Sequence, residues 1–252
     1  GPNETICTAC AAGTHAIGYA ARLIRWGVID AAATGGSESA GTVTSLAGFT
    51  NMTAISSVGI SRPFDTDRDG FIMGEGGAVL VLEEWESAQA RGANILGEIL
   101  GSASNADAYH ITAPSPGGVG AIECMNLALH EAGLRPGDIK QINAHGTSTP
   151  LNDAAEADAV TEVFGAGEVP VVSTKGVTGH ALGAAGALEA AAALLSISNS
   201  QIPPTANTKV LGDEMSIDLV MGEARDWKPG PVLSNNFGFG GHNGSVIIGP
   251  AA

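Results

Sequence analysis

The chain reads as an α/β protein of layered helices and sheets, and three features predict that class. Strand, loop and helix recur in order: Ile139 to Ala144, the loop HGTSTPLND and a helix from Asp153 to Phe164, then Val169 to Thr174, a loop ending GVTGH and an alanine-rich helix over 183–197. That repetition predicts parallel strands with right-handed crossovers, and polar residues collect where such strands end. The composition agrees, because 36 glycines and 4 % aromatics favour close helix-on-sheet packing over a bulky aromatic core. With 252 residues, 44 % of them hydrophobic, there is chain enough for one large or two modest domains.

Taken in order, residues 3–9 (NETICTA) predict a short buried strand with Cys7 in the core, and a small-residue helix starts at Cys10 and ends near Gly27. Residues 28–35 predict a second strand, and 37–58 mix helix and loop without firm periodicity. Arg62, Asp65, Asp67, Arg68 and Asp69 then precede a glycine-rich turn and the strand Ala78 to Leu82. The alternating oxygen ligands, central glycine and twelfth-position glutamate of an EF-hand do not coincide here, so these residues predict a salt-bridged turn. A helix over Glu84 to Arg91 ends at Gly92, where the composition restarts with a strand at Ile95 to Ser102; the domain boundary falls there. The turn-rich loop 105–118 leads to a helix over 119–132 whose Ile122, Met125, Leu127 and Leu129 mark a buried face, with Cys124 in the core. Strands around Ile217 to Val220, Val232 to Asn235 and Ser245 to Gly249 close the chain, the last two flanking NNFGFGGHNG. That glycine-rich stretch lacks the lysine and helix start of a phosphate loop and predicts a close backbone approach to a reacting centre.

A net charge of −15, from 11 basic and 26 acidic residues, disfavours nucleic acid and anionic membrane as partners. Three cysteines at 7, 10 and 124 make no disulfide framework, so a reducing compartment, the cytoplasm, is expected. No apolar run of bilayer-spanning length and no signal peptide are expected either. Gly1 and Pro2 also read as a protease scar.

Cys10, in the stretch TACAAG, is the candidate nucleophile. Free N–H groups and the positive end of the helix dipole would hold a thiolate there and lower its pKa. On these grounds alone the position reads as readily as a buried apolar cysteine.

Four ordered motifs add to this reading: TACAAG around Cys10, NAHGTSTP around His145, STKGVTGH around Lys175 and His180, and NNFGFGGHN over 235–243. Together they resemble the 3-oxoacyl carrier-protein synthases, the condensing enzymes of fatty-acid synthesis, and most closely the elongating type II branch. The resemblance implies a thiolase-like fold of two related α/β/α halves: 1–92 as the C-terminal part of an incomplete first half, 93–252 as the second. It implies a decarboxylative Claisen condensation of malonyl carrier protein with a Cys-bound acyl chain, in fatty-acid or polyketide elongation. Cys10 would carry the acyl group as a thioester. His145 and His180, both neutral, would donate hydrogen bonds to the enolate left by decarboxylation. Lys175 would organise the charge network with Glu189 in the matching carboxylate position. Thr147 and Thr149 match hydroxyls that bind the phosphopantetheine arm, and Phe237 and Phe239 match a gate, with the N–H groups of Cys10 and Phe239 as an oxyanion hole. His15, His110, His130 and His242 are given structural roles.

No cofactor or metal is implied, since phosphopantetheine arrives on the acyl carrier protein. That carrier, acyl and malonyl thioesters, a second copy in a homodimer and the N-terminal segment of the same synthase are the implied partners. The family's long segment before the nucleophile is missing from this sequence, and Met52 to Arg62 is shorter than the family's and lacks the arginines that often dock the carrier. The rival readings are a non-catalytic subunit resembling chain-length factors, which usually lack the nucleophile, and an acyl thioester hydrolase using Cys10 with a histidine base.

Overall fold

The computed structural model describes residues 1–251. A 3-10 turn over Ala9–Ala11 enters α1 (Ala12–Arg25), followed by β1 (Ala31–Glu38), α2 (Val43–Asn51), β2 (Gly76–Glu83), α3 (Trp85–Ala90) and β3 (Glu98–Ala106). Next come α4 (Val119–Ala132), β4 (Gln141–Asn143), α5 (Pro150–Phe164), β5 (Pro170–Val172), the single turn α6 (Lys175–Thr178) and α7 (Ala185–Asn199). Short strands β6 (Gln201–Ile202), β7 (Asp218–Leu219) and β8 (Arg225–Asp226) precede the hairpin of β9 (Val232–Gly238) and β10 (His242–Gly249).

One six-stranded sheet runs β3-β10-β9-β4-β5-β7. The strands β9, β4, β5 and β7 are parallel, as the repeated strand-loop-helix order predicts, while β10 is antiparallel to both of its neighbours. The alternation of the central strands sorts the core. Leu233 and Ile247 face Met125, Leu129 and Val160 of α4 and α5, whereas Val232 and Val246 face Ile17 of α1 and Ala190, Ala193 and Ile197 of α7. The antiparallel pair β1-β2 lies on the far side of α1 and α7, with Leu80 and Leu82 against them. These two helices are therefore sandwiched between sheets. Close approach there demands small residues: a Cβ on Gly13 would come within 2.8 Å of the Ala187 backbone nitrogen, and one on Gly36 within 2.7 Å of the Gly183 carbonyl.

Several expectations need correction. Residues 3–9 form no strand and Cys7 is exposed, because this segment meets no pairing strand among the described residues. Leu127 is 42 % exposed. The buried stripe of α4 runs through Ala121, Cys124, Met125, Ala128 and Leu129, and Leu127 lies off it. Residues 28–30 belong to the turn after α1, so β1 starts later than expected, and α5 starts earlier because Pro150 takes the first helical position after Thr149. The acidic loop is only partly ion-paired. Arg62 meets Asp69 at 3.8 Å within the turn and Arg68 meets Glu214 at 2.7 Å outside it, but Asp65 accepts N–H groups of Asp67, Lys209 and Val210, and Asp69 also accepts Ser56 and Ser57. One segment, Leu182–Asn199, is long and apolar enough by composition to cross a membrane, with a mean hydropathy of 1.3, contrary to the expectation of none. Half of it is buried inside the fold, and its Glu189 is paired there, which is the pattern of a core helix.

Candidate active site

The nucleophile turn is shaped before α1 begins. Ala9 has a φ of 49°, a left-handed conformation unusual for alanine, and it turns the chain so that buried Cys10 sits just ahead of α1. Gly238 of β9 passes directly over this turn, and a Cβ there would come within 3.0 Å of the Cys10 nitrogen. The absence of a side chain thus allows the strand and the turn to touch. The backbone N–H groups of Phe239 and of Cys10 itself lie near enough to the sulfur to favour its charged form, and they are the pair expected to form an oxyanion hole.

His145 follows β4 and His180 follows α6, so both come from the ends of parallel strand units. His180 Nε2 lies 2.9 Å from Cys10 Sγ, and the His145 and His180 rings stand nearly perpendicular at 83° with centroids 5.2 Å apart. Ligand atoms of Cys10, His145 and His180 all lie within 4.8 Å of one another, which also makes them the set that could share a metal ion. Burial holds both histidines well below the usual imidazole range, and the Lys175 charge pushes the same way, so both are neutral.

The thiol departs from the sequence expectation. Burial pushes Cys10 up to about 11, and the charge of Lys175 and the N–H groups of Phe239 and Cys10 pull back without winning. The resting group is a thiol, and its neighbour His180 is placed to take the proton.

Behind the histidines lies a buried charged network. Lys175 Nζ is paired with Glu189 Oε1, and Glu189 Oε2 accepts Asn236 Nδ2 at 2.7 Å. Burial raises the Glu189 carboxyl and the Lys175 ammonium opposes that rise. Glu156, which the sequence reading missed, accepts the N–H groups of His145 at 2.8 Å and Gly146 at 2.7 Å and so fixes the loop that carries His145. Burial raises its carboxyl from the ordinary 4.5 to about 7. Between those values the folded chain holds a proton that the unfolded chain releases, so unfolding free energy falls as pH rises through the window, by about 3 kcal/mol from this group. Chemical denaturation of wild type and Glu156→Gln from pH 4 to 8 should show the slope in the wild type and a flatter profile in the variant; parallel profiles would contradict it.

The remaining expected residues line a cavity of about 1570 Å³ that reaches Cys10. Thr147 and Thr149 bond each other through their hydroxyls at 2.8 Å at its wall. Phe237 packs edge-on to His145 at 5.9 Å. Phe239 sits 6.3 Å from Phe49, which contacts Phe71, and Phe71 meets His180 edge-on at 5.3 Å. Phe49 and Phe71 were not singled out in the sequence, although only six phenylalanines occur and four of them surround this site. His15 also does more than pack. Its Nδ1 bonds Thr8 Oγ1 at 2.8 Å and its Nε2 bonds the Asn243 carbonyl at 2.9 Å, which ties the nucleophile turn to the β9-β10 hairpin.

Residues 1–88 match the family described as beta-ketoacyl synthase, N-terminal domain, and residues 96–209 match the beta-ketoacyl synthase C-terminal domain. The 3-oxoacyl-[acyl-carrier-protein] synthase 2 of Synechocystis is 49 % identical over 250 residues, which cover 96 % of this chain and 60 % of that protein. The chain thus spans about three-fifths of the length of this curated relative. A beta-ketoacyl synthase from Burkholderia phymatum superposes with a TM-score of 0.94 at 40 % identity, covering 97 % of this chain and 60 % of its own. A type II PKS acyl-carrier protein in complex with its ketosynthase bound to the hexaketide gives a TM-score of 0.97 at 34 % identity, with 100 % of this chain and 64 % of that one covered. These superpositions carry the expected thiolase-like architecture. Matched along both of the family's domains and superposing on its solved members, this chain belongs to the beta-ketoacyl synthase family.

Proposed function

We propose that the chain carries the condensing centre of a 3-oxoacyl-[acyl-carrier-protein] synthase, acting in fatty-acid or polyketide chain elongation. The observation that carries this reading is the Cys10 thiol 2.9 Å from His180, beside His145, at the end of a large cavity. In the first half-reaction the Cys10 proton passes to His180 Nε2 and the sulfur attacks the thioester carbon of an acyl carrier. The oxyanion forms against the N–H groups of Cys10 and Phe239, then collapses to expel the carrier thiol, which leaves with the proton. In the second, the malonyl carboxylate departs as carbon dioxide and its electron pair forms an enolate held by donors on His145 and His180. The enolate carbon attacks the acyl-Cys10 carbonyl, the C–S bond breaks, the Cys10 thiolate takes a proton from solvent to restore the thiol, and a 3-oxoacyl thioester is released.

The two histidines suit different parts of this sequence. Nδ1 of His180 is buried without a hydrogen-bond partner among the described residues, so no side chain ties the ring to one tautomer: with its proton on Nδ1 it accepts from Cys10 at Nε2, and after its proton has moved to Nε2 it donates to the enolate. Thr147 and Thr149 would bind a phosphopantetheine arm brought in by the carrier, and no resident cofactor is invoked. We keep residues 1–92 and 93–252 as parts of two related halves. An acyl-enzyme trapped with a labelled acyl carrier, followed on malonyl addition by a 3-oxoacyl product, tests the whole reading. An acyl-enzyme that only hydrolyses would favour the hydrolase, and no acyl-enzyme at all would favour a chain-length-factor-like subunit.

A complement and a homodimer belong to the same proposal. Val79 and Val81 on the outer face of β2 are 73 % and 74 % exposed, and β1-β2 has both edges unpaired among the described residues. The occupant proposed is the family's segment that precedes the nucleophile. Size-exclusion chromatography with light scattering on the isolated 252 residues should show self-association, relieved by co-expression of that segment. A monodisperse monomer with full condensing activity would refute the dependence.

A further inference from the structure

We propose that Asn236 is a positioning residue that fixes the proton of His145 on Nε2, the ring nitrogen left free to donate to the enolate. This rests on the condensing reading for its purpose, but its geometry stands alone. Asn236 lies on β9, and its amide is oriented by two neighbours from different helices. Its Oδ1 accepts the hydroxyl of Thr14 on α1 at 2.5 Å, and its Nδ2 donates to Glu189 on α7 at 2.7 Å. Glu189 is held in turn by the buried Lys175, so the NH₂ end of the amide has to point its way.

An amide nitrogen carries two protons and accepts none. The second proton of Nδ2 is directed at His145 Nδ1, 3.4 Å away. A donor in that place is tolerated only if Nδ1 offers a lone pair, and in a neutral imidazole the ring proton then resides on Nε2. The chain of contacts from Lys175 through Glu189 and Asn236 therefore ends in a choice of tautomer. His145 and Asn236 are both buried, so water does not offer an easy substitute for the missing bond. The contrast with His180, whose Nδ1 has no such partner, assigns the two rings unlike duties: one is a fixed donor and the other exchanges its proton with the nucleophile.

Nitrogen-15 NMR of histidine-labelled chain, co-expressed with its complementing segment if the isolated chain self-associates, reads the tautomer directly. In the wild type, His145 should show a protonated Nε2 and an unprotonated Nδ1; a protonated Nδ1 would overturn the inference whether or not any variant folds. In Asn236→Leu, which offers His145 no donor, nothing holds Nδ1 as an acceptor and the share of rings protonated on Nε2 should fall. Malonyl decarboxylation should fall roughly 10- to 100-fold, as for other groups that orient a reacting residue, while acylation of Cys10 stays within a few-fold of wild type. An unchanged tautomer in the variant, or equal loss of both half-reactions, would leave Asn236 with a packing role only. A wild-type chain that neither acylates nor decarboxylates would defeat the condensing reading and leave the tautomer result standing.

Discussion

Cys10→Ala abolishes covalent acylation of the chain and lowers condensation by about 10⁴-fold or more, because removing a nucleophile leaves only binding and the oxyanion hole. The expected readout is peptide mass spectrometry after incubation with an acyl-carrier thioester: the acyl group sits on the peptide containing Cys10 in the wild type and is missing in the variant. The other two thiols make the result discriminating. Cys7 is exposed only three residues away, and Cys124 is buried within α4 beside the Ala103 carbonyl, outside the cluster that Cys10 forms with His145 and His180. Simple accessibility would label Cys7 first. A thioester that needs the N–H groups of Cys10 and Phe239 around its carbonyl should choose the buried thiol instead, so label on Cys7 or Cys124 with none on Cys10 would defeat the assignment.

The same residue shows where sequence reasoning reached and where it stopped. The motif order singled out Cys10, His145, Lys175 and His180, each of which stands where a strand or turn hands over to a helix, and the fold brings Cys10, His145 and His180 within 4.8 Å of one another. Their convergence follows from the parallel arrangement of β4, β5 and β9. The state of the thiol did not follow. A helix start argues for a lowered pKa, but burial under β9 and against His180 comes from residues more than 160 positions away and reverses the sign. Glu156 and Asn236 escaped notice for a related reason. A glutamate on α5 and a second asparagine in NNFGF look like ordinary polar positions until tertiary structure shows that one caps the His145 loop and the other faces its ring. The segment 3–9 failed oppositely, since its composition suits a strand while a strand also needs a neighbour to pair with.

His145→Ala and His180→Ala should part company in the first half-reaction and agree in the second. Each removes one donor to the enolate, a loss that typically costs about 10²- to 10³-fold, or about 2.7 to 4 kcal/mol, so malonyl decarboxylation should fall by that order in both. Sequence alone predicts that acylation of Cys10 survives either change. The geometry does not treat them alike, because His180 Nε2 touches Sγ at 2.9 Å and the thiol is pushed up to about 11. Without His180, the thiolate must form by direct ionisation. Acylation in His180→Ala should then be slow at pH 7 and climb about tenfold per pH unit toward about 11, whereas His145→Ala should keep the shallower wild-type profile and a near-normal rate. Single-turnover acylation by mass spectrometry across pH 6 to 10, paired with release of carbon dioxide from labelled malonyl carrier, separates the two steps. If His180→Ala acylates as fast as wild type at neutral pH, His180 is not the acceptor of the Cys10 proton and its work is confined to the enolate; if both variants lose both steps equally, the histidines hold the site together and do not divide its chemistry.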